Sequence, residues 1–468
     1  MNAEDARITE EVANFVVAAE YENFSSDIQN IAKRCIIDGI GVILAGSTEP
    51  SARIVRDYAL SIEGKKECTI LGKGKTRVPV HLAALVNGTA GHALDWDDTA
   101  LSTTPDRAVL LHPTMPPLAA GLAIGEKLER SGRDVLTAFL VGIEVECKIA
   151  EAIHSDHWDR GFHTSNTCGI FGATTAAAKL MGLSVEQVRS AVGVAASMAS
   201  GLIVNLGTMA KPLHMGRAAE NGIVSARLAA NGFRSHPDGL EGHKGFFHAF
   251  AGGFDPDKIC GKLGRPYSII DPGVSIKPYP CGVVGHPAMD AMLALVVRHD
   301  IQPDEVERVK VATGSNVLGP KGPLRYRKAQ TELQAKFCVP FQMASMIIRR
   351  KAGIMEFTDE FVQSPAVQDM MDRVDAVVDP KIDALGLDKI VGVIQVSLKD
   401  GRVLRGRTSE HYRGGPRAPL SREELLEKFN DCTRRILAPA QARKLFETIE
   451  SLEKMESLRK TIEMAVVQ

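Results

Sequence analysis

From the start to about residue 270, apolar side chains recur at three-and-four spacing, and glycine, alanine and threonine fill much of the space between them. That pattern constrains the fold more than any other feature, because it specifies helices whose backbones lie close together. The segment "SSDIQNIAKRCIIDGIGVILAG" opens on a polar cap, carries its apolar residues at helical spacing and closes on glycine. "GIFGATTAAAKLMG" is built from residues small enough to let neighbouring helices touch. Three helix starts are marked by capping-box spacing: Ser131 with Asp134, Ser184 with Gln187, and Ser421 with Glu424. Aromatic residues make up only 5% of the chain against 42 glycines, so the core is expected to rest on close helix contacts.

At 468 residues the chain exceeds the size at which one hydrophobic core usually stops growing. The texture changes after "DPGVSIKPYPCG". "EVERVKVATGS" alternates like a strand, and "KIVGVIQVSLKDGRVLRGRTS" reads as two strands around the turn Asp400-Gly401. Helix returns after residue 410. The expected fold is mainly α, with a large all-helical domain over 1–270 completed by 409–468, and a smaller α+β lid domain over 271–408. A cleft between two such domains is the natural place for a small-molecule site.

Composition excludes several functions. A net charge of −1 provides no field for nucleic acid or an anionic membrane. The start "MNAEDARITEEV" lacks the basic-then-apolar run of a signal peptide, and no apolar run approaches the roughly 18 residues of a membrane span. The eight cysteines are scattered with no C-x-x-C pair, which speaks against an iron–sulfur or zinc motif and against a disulfide scaffold. A cytoplasmic enzyme is the expectation.

The stretch "HALDWDDT" at 92–99 then poses a question. A small, apolar helix, "VHLAALVNGTAG", runs directly into Asp95, Asp97 and Asp98 with no nearby lysine or arginine in sequence. Four further segments place ionisable groups within apolar or glycine-rich sequence: His112 in "LLHPTMPP", His163 in "DRGFHTSNTCG", Lys211, His214 and Arg217 in "LGTMAKPLHMGRAAENG", and Lys277 and His286 in "SIKPYPCGVVGHPAMDA". Singly, each reads as a cap or a solvated loop. Together they offer carboxylates, imidazoles and cations, a set suited to a small polycarboxylate. Lysine and arginine bind carboxylates by charge-assisted hydrogen bonds, a carboxylate or imidazole removes a proton alpha to a carboxylate, and Lys211 and Lys277 would meet the developing charge. A metal-dependent hydrolase using Asp95, Asp97, Asp98 and His112 is the reading from another class. Adjacent carboxylates in a regular segment do not converge, and no E-x-x-H or H-x-x-x-H pattern accompanies them.

These segments, in this order, resemble the MmgE/PrpD family, which includes 2-methylcitrate dehydratase, cis-aconitate decarboxylase and iminodisuccinate epimerase. The resemblance runs from "CIIDGIGVILAG" through "NGTAGHALDWDDT", "HPTMPP", "GFHTSNTCGIFGATTAAAKLMGL", "KPLHMGRAAENG" and "KPYPCGVVGHPAMDA" to "AKFCVPFQMA" and "HYRGGPRAPLSREELLEKF". It implies a cytoplasmic homodimer and lyase or isomerase chemistry on a di- or tricarboxylate without metal or organic cofactor. Dehydration of the 2-methylcitrate type is placed first, with decarboxylation or epimerisation as alternatives. By motif, the site would hold Asp95, Thr99, His112, His163, Lys211 and Lys277, with His286 and Lys336 as further members. Asp95 would act as a base or orient His112 or His163, while Asp97 and Asp98 would be structural. The loop "ALSTTPDRAVLL" between Thr99 and His112 is longer than in the family's decarboxylases, and Arg325 and Arg327 are further candidates for carboxylate contacts.

Overall fold

A computed structural model describes residues 6–467, except 105–106, 320–321, 387–388 and 410, and gives the backbone alone for 102–104 and 107–109. The fold is mainly α. Its principal helices in the first half are α1 (Ser26–Gly46), α2 (Val80–His92), α3 (Met115–Lys127), α4 (Gly132–Ala152), α5 (Gly169–Met181), α6 (Val185–Met198) and α7 (Ala210–Ala230). Their starts follow the sequence: Ser25 caps α1, and reciprocal capping boxes at Ser131/Asp134 and Ser184/Gln187 open α4 and α6.

Small residues set how closely these helices cross. A Cβ on Gly88 of α2 would lie 2.9 Å from the Cα of Gly216 in α7, and one on Gly216 would lie 2.2 Å from the Leu85 carbonyl oxygen. Only glycine permits that approach. The crossing matters for function because Gly88 lies one turn before His92, and Gly216 just over one turn after Lys211.

The second half contains α8 (His286–His299), α9 (Val339–Arg349) and a four-stranded sheet. Its strands are β4 (Val306–Thr313), β5 (Val374–Val378), β6 (Gly392–Leu398) and β7 (Val403–Arg407), in the order β7-β6-β4-β5. β4 runs parallel to β5 and antiparallel to β6, and β6 and β7 form the expected hairpin with Gly401 at φ 88° in its turn. One apolar cluster unites residues from the N-terminal helices through Ile276 with the C-terminal stretch Leu420 to Val466. A second gathers Tyr279 to Leu398 and also takes in Leu206. Helix α10 (Arg422–Thr433) opens on the Ser421/Glu424 capping box and returns the chain to the first cluster.

One expectation is corrected. The stretch read as a loop within an all-helical region forms a β-hairpin, β1 (Thr99–Thr104) with β2 (Arg107–Leu111), and β1 also pairs with β3 (Val274–Ser275). Threonine, valine and leucine on either side of Pro105-Asp106 suit strands better than a coil. The hairpin carries Thr99 at one end and leads directly into His112. All eight cysteines are free thiols, seven of them buried, and among the described residues no helix is long and apolar enough to cross a membrane.

Candidate active site

Five segments deliver polar or titratable side chains to one pocket of about 420 Å³ between the two apolar clusters. Asp95 comes from the turn after α2, Thr99 and His112 from the two ends of the hairpin, His163 and Ser165 from the approach to α5, and Lys211 from the first turn of α7. Lys277 follows β3. Leu110, Trp158, Leu206, Val283, Val284 and Phe337 form much of the remaining wall.

Asp95 is the centre of the arrangement. It holds a left-handed backbone (φ 53°), a conformation aspartate tolerates better than most residues, and this sharp turn brings the chain back on itself after α2. Lys211 Nζ donates to Asp95 Oδ1, and Lys277 Nζ lies 3.2 Å from Oδ2 and 2.7 Å from the Asp95 carbonyl oxygen. Burial alone would raise the Asp95 pKa, but the ammoniums of Lys211 and Lys277 together outweigh it and hold the carboxyl well below the usual range. Two ammoniums therefore converge on one carboxylate at the pocket wall, where their remaining N–H groups suit an anionic substrate.

The pocket imidazoles are held below the ordinary histidine range, which favours their neutral form. Burial, followed by the nearby charge of Lys277, pushes His112 well below its ordinary pKa. Its Nδ1 donates to the Asp98 carbonyl oxygen at 2.9 Å, which leaves a lone pair on Nε2, 4.0 Å from Asp95 Oδ1. His163 is likewise held well below its ordinary value by burial and by Lys211, and its Nδ1 lies 2.9 Å from Nδ1 of His214. One nitrogen of that pair donates to the other. Thr99 Oγ1 is buried without a hydrogen-bond partner among the described residues.

The other two aspartates answer the question raised by "HALDWDDT". Asp97 accepts from His92 Nδ1, 2.8 Å from each carboxylate oxygen. Asp98 accepts from the Thr114 hydroxyl at 2.5 Å and the Thr114 amide at 3.3 Å, and burial together with Asp38 and Asp97 pushes its pKa up to about 7 despite those bonds. The three carboxylates thus bond to different partners: Lys211 and Lys277 for Asp95, His92 within the same segment for Asp97, and Thr114 for Asp98.

Of the eight residues expected in the site, six line this pocket and two do not. His286 is fully buried at the start of α8, with Nε2 3.1 Å from the Cys281 carbonyl oxygen. Lys336 lies beneath the wall with Nζ 3.5 Å from Glu332 and 5.1 Å from the Phe357 ring centre, and its carbonyl receives the amide of the wall residue Gly282. Arg325 reaches the carbonyl oxygens of Val204 and Leu206 rather than the pocket. Sequence reasoning passed over the apolar wall and the role of His92. The spacing from His92 to Asp97 was readable, but its meaning depends on the left-handed turn between them.

The residue set does not suit a metal ion. Ligand atoms of His92, Asp95, Asp97 and His112 lie within 4.8 Å of one another, so these carboxylates do converge, because the segment is not regular. However, the ammonium of Lys211 contacts both His92 Nε2 and Asp95, and that of Lys277 contacts Asp95. A cation placed among those four side chains would face two fixed positive charges.

The MmgE/PrpD N-terminal domain matches residues 10–259 and the MmgE/PrpD C-terminal domain matches residues 279–454. Similar proteins include the cis-aconitate decarboxylase of Homo sapiens, 29% identical over 96% of this chain and 92% of the human protein. The cis-aconitate decarboxylase of Mus musculus is 28% identical, covering 96% of this chain and 91% of its own length. That of Aspergillus terreus is 23% identical, covering 98% and 95% respectively.

Proposed function

From the premise that this chain belongs to the MmgE/PrpD family and is a lyase, we propose that it removes carbon dioxide from a small unsaturated tricarboxylate of the cis-aconitate type. The observation that carries this reading is the pair of ammoniums at Asp95, facing neutral imidazoles in a pocket otherwise walled by apolar side chains. Sequence reasoning placed dehydration first. The near full-length similarity to three decarboxylases moves decarboxylation ahead of it.

Lys211, Lys277 and Thr99 bind the carboxylates that the product retains. The departing carboxylate lies against Leu206, Val283, Val284 and Phe337, where poor solvation favours its conversion to neutral carbon dioxide. As the C–CO2 bond breaks, its electron pair forms a new double bond, and the pair of the old double bond takes up a proton at its far carbon. His163, with its proton on Nε2, supplies that proton while its Nδ1 takes up the Nδ1 proton of His214, and solvent returns a proton to His214 at Nε2. Asp95 stays ionised and fixes both ammoniums.

A second reading is supported by the Nε2 lone pair of His112. A base in that position would abstract a proton alpha to a carboxylate and so promote loss of water, as in a 2-methylcitrate dehydratase. An epimerase-like isomerase would need a second acid–base group on the opposite face, which His163 would provide.

The two apolar clusters support a division into a helical unit, 1–270 with 409–468, and an α+β lid over 271–408, with the pocket between them. A cytoplasmic homodimer is the assembly that the family resemblance implies. The test is to offer purified protein cis-aconitate, citrate, methylcitrate and iminodisuccinate, with and without EDTA, while detecting carbon dioxide and following products by proton NMR. Carbon dioxide from cis-aconitate, unaffected by EDTA, is the expected result. Water loss from methylcitrate would move the assignment to the dehydratase. EDTA-sensitive turnover would return it to the metal hydrolase.

A further inference from the structure

We propose that His92 and Asp97 are positioning residues that aim Lys211 at the substrate, with Asp97 selecting the tautomer of His92 on which that aim depends. The argument starts from donors and acceptors. A lysine ammonium carries three N–H groups and no lone pair, so the 2.7 Å contact between Lys211 Nζ and His92 Nε2 requires a lone pair on Nε2. The single proton of the neutral ring then sits on Nδ1, 2.8 Å from both oxygens of Asp97. The opposite tautomer would set an N–H against the ammonium and a lone pair against the carboxylate. Both contacts would be repulsive, in residues buried away from any water that could relieve them.

The backbone makes this relay possible. His92 is the last residue of α2, and the left-handed turn at Asp95 folds the chain so that Asp97 returns to the His92 ring. The contact with the Lys211 ammonium calls for a neutral ring, and burial lowers the His92 pKa in the same direction, with the Lys211 charge adding to it against the pull of Asp97. Of the three N–H groups on Lys211, one is then held by Asp95 and one by His92. The third is left for the pocket that Lys211 lines. Without an acceptor at His92, the ammonium would be tethered at one point and free to swing.

The catalytic consequence rests on the reading of Lys211 as a substrate-binding donor, but the tautomer does not. The experiment therefore has two arms. Nitrogen-15 NMR of histidine-labelled protein, without substrate, should show His92 protonated at Nδ1 and unprotonated at Nε2. Kinetics should show Asp97→Asn and His92→Leu each lowering kcat by about 10- to 100-fold, the range found when a partner behind a functional group is lost. His92→Gln, which places a carbonyl oxygen near the former Nε2, should restore most of it. If His92→Leu does not fold, Asp97→Asn and the NMR arm still decide. A proton on Nε2 in the native protein, or a glutamine variant no better than the leucine variant, would overturn the relay. The expected tautomer in a protein with no lyase activity would instead overturn the proposed function and leave the relay standing.

Discussion

Lys277 holds Asp95 twice, through the backbone carbonyl at 2.7 Å and through the carboxylate at 3.2 Å. One ammonium thus fixes both the left-handed turn and the charge that the turn presents. The contact spans the gap between the turn after α2 and the chain after β3, so it also ties the hairpin sheet to the turn carrying Asp95.

Asp95→Asn should keep the turn, since asparagine tolerates a left-handed backbone. It leaves two buried ammoniums without their counter-charge, which costs about 3–5 kcal/mol when a buried pair is broken. The sign of the pH dependence follows. Lysines stripped of a partner have a folded pKa below their unfolded one, so the folded state binds fewer protons and gains stability as pH rises. Thermal melting should therefore show a larger deficit against wild type at pH 7 than at pH 9.5. Asp97→Asn should destabilise less, because its partner His92 is neutral. An equal deficit at both pH values would remove the ion-pair account of Asp95.

The buried imidazoles set the acid behaviour. His112 and His163 are both held well below the ordinary histidine range, by burial first and then by Lys277 and Lys211 respectively. In kcat/KM, corrected for substrate ionisation, no acid limb should appear near pH 6.5, and activity should persist below it. Stability behaves differently. The unfolded chain takes up protons on these rings below about pH 6.5 while the folded protein does not, so folding weakens as pH falls, by about 1.4 kcal/mol per pH unit for each ring. A limb centred at 6.5, or ring signals of His112 and His163 that titrate near 6.5 by NMR, would contradict the neutral assignment.

Gly216→Ala tests how the fold positions the site. The new Cβ would meet the Leu85 carbonyl oxygen and Thr89 Oγ1, each at 2.2 Å, and force α7 away from α2. Overpacking of this kind costs about 1–3 kcal/mol. Because Lys211 rides on α7, activity should fall by more than the loss of folded protein explains. A variant with near-native activity per folded molecule would show that the helix crossing does not set the lysine's position.

The helices, their caps and the β6–β7 hairpin were legible in the sequence because each is specified locally, by spacing, a capping residue or a turn pair. The β1–β2 hairpin was not. Its strands are short, and the third strand, β3, reaches β1 from far along the chain. In the site, Asp95, His163, Lys211 and Lys277 stood out as charged groups in apolar surroundings. The apolar wall from Leu206, Val283 and Phe337 did not, because nothing in the sequence distinguishes a wall residue from a core residue. The partners of Asp97 and Asp98 required the left-handed turn at Asp95, a backbone conformation that no residue in "HALDWDDT" announces.

The most direct test of the central claim, that the ammoniums at Asp95 carry a decarboxylation, compares wild type with Lys211→Met on cis-aconitate in heavy water. Proton NMR and carbon dioxide release would be followed together. The wild-type protein should release one carbon dioxide per product and place one deuterium at the carbon that takes up the proton. Lys211→Met should fold and turn over at least about 10²-fold more slowly. Turnover of cis-aconitate by Lys211→Met at the wild-type rate, or no carbon dioxide from the wild-type protein, would contradict it.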